Sequence, residues 1–132
     1  MKSVKSIALV YDGIKLTTKN YDYDKSYEFL KDSVDGYIDH LVLPVFGKKH
    51  IDMWVNDEGK LLNLEPSMVL THDGKPIDVV VGNIVFTRYD DEGDTLSLEP
   101  DDITYINDVL DNVDYLIHSF NGKMMMLPCL EV

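Results

Sequence analysis

The chain has 132 residues and a mass of 15.1 kDa, and its 45% hydrophobic content suffices for the core of one ordinary domain, read as spanning residues 1–132. Its formal charge of -12, from 24 Asp and Glu against 12 Lys and Arg, is spread along the sequence and argues against direct nucleic-acid binding, because an acidic surface repels phosphate backbones. The apolar run in the opening "MKSVKSIALVYDG" is too short for a signal segment or a membrane span, and the single Cys129 allows no internal disulfide; a soluble, cytoplasmic protein is expected.

In chain order, "SIALVYDGIKLTT" predicts a β-hairpin turning at Asp12-Gly13. "DKSYEFLKDSVDG" predicts a helix, with Asp24 as N-cap, Tyr27, Leu30 and Val34 at helical spacing, and Gly36 ending it in a left-handed conformation. "YIDHLVLPVF" reads as a strand in which Leu41, Leu43 and Val45 alternate onto one face and Pro44 limits pairing. In the following strand, "HIDMWVNDEG", Ile51, Met53 and Val55 point one way, while His50, Asp52 and Trp54 point the other, a polar face for the only Trp.

The turn Asn56-Asp57-Glu58-Gly59 reverses the chain, Gly59 being able to take positive φ, and Lys60-Leu61 leads back into the fold. "EPSMVLTHDGKP" reads as a loop with one helical turn at Pro66 and a reversal at Asp73-Gly74. "IDVVVGNIVFTR" is apolar almost throughout and predicts one central strand covered on both faces. "LEPDDITYINDVLDNV" is a helix from Pro100, with Asp101 and Asp102 in its first turn and Ile103, Ile106, Leu110 and Val113 on one stripe. "DYLIHSFNGKMMMLP" predicts a second hairpin at Asn121-Gly122. The fold class is α+β: a mixed, mainly antiparallel sheet with two helices packed on it and β-hairpins at both termini.

Strong chemical motifs are missing. His40, His50, His72 and His118 lack metal-ligand spacing, and "DDEGDTLSLEP" places Thr95 where a calcium loop needs glycine, so no metal and no cofactor is expected. Phosphate loops and a nucleophile elbow are also absent, so no catalytic residue is assigned and the chain is read as a non-enzyme. What remains is a set of polar and aromatic residues within apolar strands: Trp54, Asn83 beside Gly82, Arg88 and Lys60, a combination suited to stacking a base and holding its edge and phosphate.

"GYIDHLVL", "WVNDEGKLLNLEPS", "VVVGNIVF" and "DDITYI" together resemble a domain family of unknown function from phages, plasmids and other mobile elements, over about residues 36–106. Gly36, Tyr37, Ile38, Asn56, Glu58, Gly59, Lys60, Leu61, Pro66, Gly82 and Asn83 fit its pattern, while Asp57 and Ser67 depart from it. The resemblance implies a bacterial host cell and a role against host pathways or host defence. The expectation is a binding module that sequesters a nucleotide-derived defence signal, with Tyr37 or Trp54 stacking and Asn56, Lys60, Asn83 and Arg88 supplying polar contacts. Two alternatives stand beside it: an acidic inhibitor or DNA mimic acting on a host protein, and a small hydrolase. Edge strands and the "MMML" run also admit a homodimer.

Overall fold

The computed structural model describes residues 5–132. Among these residues, ten strands fall into two sheets where one was expected, with three short helices. The first sheet has the order β2-β1-β7-β4-β3, from β1 (Lys5–Tyr11), β2 (Leu16–Asp22), β3 (Ile38–Leu41), β4 (Ile51–Asn56) and β7 (Ile84–Tyr89), with the two-residue β8 (Thr95–Leu96) also on β7. The second has the order β6-β5-β10-β9, from β5 (Pro66–His72), β6 (Lys75–Val81), β9 (Tyr115–Phe120) and β10 (Lys123–Glu131). All pairings are antiparallel except β5 with β10, so only the second sheet is mixed.

The expected central strand "VVVGNIVF" is cut in two at Gly82. That residue has φ of +81° and donates its N–H to Glu65 O at 2.7 Å, so β6 ends in one sheet and β7 starts in the middle of the other. "PSMVLT", read as a loop, is β5, buried from Pro66 to Thr71. The expected long strand through Pro44 stops at Leu41; Pro44 instead opens α2 (Pro44–Gly47), a single helical turn missed in the sequence.

Helix α1 (Ser26–Val34) follows a 3-10 turn at Tyr23–Lys25 that contains Asp24. Its left-handed terminal residue is Asp35, with φ of 59°, rather than Gly36. Gly36 is needed for space: a Cβ there would lie 2.8 Å from Asn56 Nδ2. Similarly, Gly59 does not take positive φ; a Cβ on it would meet Val81 at 2.7 Å, and Asn63 provides the left-handed step, with φ of 56°. Helix α3 (Pro100–Asn112) forms as predicted, closed by a capping box between Glu99 and Asp102. The hairpin turns at Asp73-Gly74 and Asn121-Gly122 each use two positive φ values.

Between the two sheets, Leu9, Met53, Ile84 and Phe86 meet Met68, Leu70, Val80 and Leu130, with Phe46 of α2 and Ile106 and Leu110 of α3 filling the gap. On the other face of the first sheet, Leu30 and Val34 of α1 cover Ala8, Val10, Tyr21 and Val85, and Trp54 and Ile38 pack at the border of this cluster. Among the described residues, no helix is long and apolar enough to cross a membrane.

Candidate functional site

The six residues expected to contact a ligand do not gather around one point. Asn56 and Asn83 both serve the C-terminal end of α1: Asn56 Nδ2 donates to Val34 O at 2.8 Å and Asn83 Nδ2 to Ser33 O at 3.1 Å. These are last-turn carbonyls that the helix itself cannot satisfy. Asn56 Oδ1 also accepts the Glu58 N–H at 2.7 Å, which shapes the turn. Tyr37 lies nearby, 63% exposed, its ring 5.4 Å from the Lys31 ammonium. Lys60 is drawn to the second sheet by an ion pair with Asp78. Arg88 points into the opposite face of the first sheet from Trp54, 3.4 Å from Asp102 at the head of α3. Strand alternation dictates this separation, because Val85 and Thr87 face α1 and Trp54 while Phe86 and Arg88 face the core and α3.

A different constellation forms around Trp54. Its Nε1 donates to Thr87 Oγ1 at 2.8 Å, fixing the indole, and His40, its cross-strand partner on β3, lies with its ring 5.3 Å away. Asp52 lies two residues earlier on the same face of β4, opposite Thr87. It is only 6% exposed, and among the described residues its carboxylate accepts no hydrogen bond; the nearest partner is His40 Nε2 at 3.4 Å. Burial raises the Asp52 pKa, with His40 opposing the rise. Just before β4, His50, with φ of 58°, stacks its ring on that of Tyr89 at 5.1 Å. The alternation read in the sequence placed Asp52 and Trp54 together, and His50 with them, but β4 starts at Ile51 and the left-handed His50 stands outside the strand. His40 and Thr87 were missed because only the strand register brings them there.

A carboxylate held in this way makes a pH-dependent contribution of definite sign. Because its folded pKa lies above the ordinary value, the folded state favours the protonated form, and the stability this gives at low pH is lost as pH rises through the folded pKa. Asp52→Asn should therefore raise stability at pH 7 by on the order of 1 kcal/mol, removing an uncompensated buried charge. Thermal melts should show the gain at pH 7 and a much smaller one below the normal carboxyl range; an equal gain at both would contradict the assignment.

A second feature lies between the Asn56–Lys60 turn and β6. Asp39, Asp57, Glu58, Asp78 and Lys60 line a cleft of about 290 Å³ with an apolar floor of Leu41, Val55, Leu70 and Val80. Its charged side chains comprise four carboxylates and one ammonium already paired with Asp78, beside the Asn56 amide, a balance suited to a cationic group and unsuited to a phosphate. At the β5–β6 turn, His72, Asp73 and Glu131 bring ligand-type atoms together at the surface. Glu131 completes the fold there, accepting from Thr71 Oγ1 and from the Asp73 and Gly74 N–H groups, which also lowers its pKa.

Residues 4–111, which are 108 of the 132, match a family described as a domain of unknown function, DUF3846. The chain belongs to that family. The DUF3846 match is wider than the resemblance over residues 36–106, taking in the N-terminal hairpin and α1, and it contains both the Asp52–Trp54 seam and the acidic cleft. It ends inside α3, before β9 and β10. No curated protein and no solved structure matches the chain.

Proposed function

We propose that this DUF3846 protein is a non-enzymatic binding module of a phage or other mobile element, acting in the cytoplasm of a bacterial host, and that it captures a nucleotide-derived molecule on the seam around Asp52. The observation that carries the reading is a largely buried carboxylate that accepts no hydrogen bond from the described residues and has only His40 Nε2, at 3.4 Å, within ion-pair reach, beside a half-buried indole and a half-exposed imidazole. A carboxylate accepts two neighbouring N–H groups at once, the pattern of a guanine-type edge, while a base stacked on Trp54 contributes about 1–3 kcal/mol. Such a ligand supplies the donors that Asp52 lacks. The stabilising effect expected of Asp52→Asn fits the same reading, since binding groups are commonly kept at a cost to stability.

Calorimetry against a panel of linear and cyclic nucleotides tests it. Guanine-bearing members should bind, and Asp52→Asn and Trp54→Ala should each weaken binding by at least about tenfold, one such step being 1.4 kcal/mol, while Lys60→Ala leaves it unchanged. Absence of heat for every nucleotide would remove the reading. The acidic cleft favours a second one, an inhibitor that occupies a basic host protein. That reading expects basic partners in pull-downs and complexes that weaken steeply with salt.

A further inference from the structure

We infer that two copies of this chain pair through β9, antiparallel about a two-fold axis, to make one continuous eight-stranded sheet. Among the described residues, strand β9 is hydrogen-bonded only to β10, which leaves its outer edge open. Natural sheets protect such edges with charges, prolines, bulges or shortness. The other edges here follow that rule: β2 carries Lys19 and Asp22, β3 has four residues including Asp39, β6 carries Lys75, Pro76 and Asp78 with two register shifts, and β8 has two residues. Strand β9, Tyr-Leu-Ile-His-Ser-Phe, has no Lys, Arg, Asp, Glu or Pro and keeps regular register with β10.

Its side chains are also exposed. Ile117 is 66% exposed and sits directly opposite Met126, itself 63% exposed, with Met124 at 68% further along the hairpin. Charge identifies the occupant as a second copy. Residues 115–130 form the longest stretch without Asp or Glu in a chain that has 24 of them, and Lys123 is their only charged residue at neutral pH. Two chains of charge -12 repel over most of their surfaces, and this strip is where they can approach without placing carboxylates against one another. A two-fold axis sets each β9 against its own copy, which makes the contact self-complementary and covers both open edges together.

Light scattering after size exclusion at about 100 µM, where a weak dimer is populated, should give twice the 15.1 kDa chain mass. Ile117→Glu should return the monomer mass with an unchanged far-ultraviolet circular dichroism spectrum, since the position is solvent-exposed in the single chain. In a separate variant, His118→Cys should form a disulfide between two chains on mild oxidation. A wild-type monomer at that concentration, an Ile117→Glu dimer, or failure of the cysteine to cross-link would each overturn the pairing.

Discussion

Asn56→Ala should destabilise the protein by about 2–4 kcal/mol, since it removes one buried and one half-buried hydrogen bond and leaves a buried helix-end carbonyl unsatisfied. The partners are Val34 O, at the end of α1, and the Glu58 N–H, inside the turn after β4. With the amide gone, the helix end, the turn and the strand lose their common attachment. Lys60→Ala, four residues on, removes only an exposed ion pair and should change stability by less than about 1 kcal/mol. Urea unfolding measures both. Similar midpoints for the two variants would show that the Asn56 amide is not a structural clamp. The contrast also matters for function: the sequence assigns Asn56 and Lys60 to ligand contacts, whereas an Asn56 variant that fails to bind would be reporting on α1.

The largest loss is expected for Phe46→Ala, about 3–5 kcal/mol, the usual range for deleting a fully enclosed ring. Phe46 is 0% exposed and meets Phe86 edge-on at 5.1 Å and Tyr105 at 6.4 Å. It is the one large side chain that α2 contributes to the gap between the sheets, and Tyr105 Oη donates to the neighbouring Val45 O at 2.6 Å, fixing α3 against α2. A domain of this size has a total stability of roughly 5–15 kcal/mol, so the variant should be partly unfolded at 37 °C. Thermal melts would show a Tm lowered by well over ten degrees, and a shift of only a degree or two would mean that the pocket collapses around the missing ring.

Elements with local signals were legible in the sequence. Helix α3 carries its own start in Pro100, Asp101 and Asp102 and its own stripe in Ile106 and Leu110, and the C-terminal hairpin carries its turn in Asn121-Gly122. Elements defined by distant partners were not. Pro66 and the Asp73-Gly74 reversal made β5 read as a loop, yet the residues between them form a strand whose polar side chains are satisfied by other strands, the Ser67 hydroxyl donating to Val80 O and that of Thr71 to Glu131. Nothing in "VVVGNIVF" says that its two halves belong to different sheets, because the cue is a hydrogen bond to Glu65. The candidate site divides in the same way. Alternation along β4 placed Asp52 and Trp54 on one face, but an amide in an apolar strand looks the same in sequence whether it meets a ligand or a helix carbonyl, and Asn56 and Asn83 meet carbonyls.

The parallel pairing of β5 with β10 has a consequence for how the protein is made. Val69 pairs with Cys129 and Thr71 with Glu131, so β5 waits for residues translated some sixty positions later. Until these leave the ribosome, the nascent chain holds β5 against β6 alone, with Met68, Val69 and Leu70 beside an open edge. Such intermediates invite aggregation and chaperone capture. Native structure should therefore appear only after release of residues beyond those that match DUF3846, since residues 4–111 contain neither β9 nor β10. Expression of the matched segment alone should yield a chain that cannot close its second sheet.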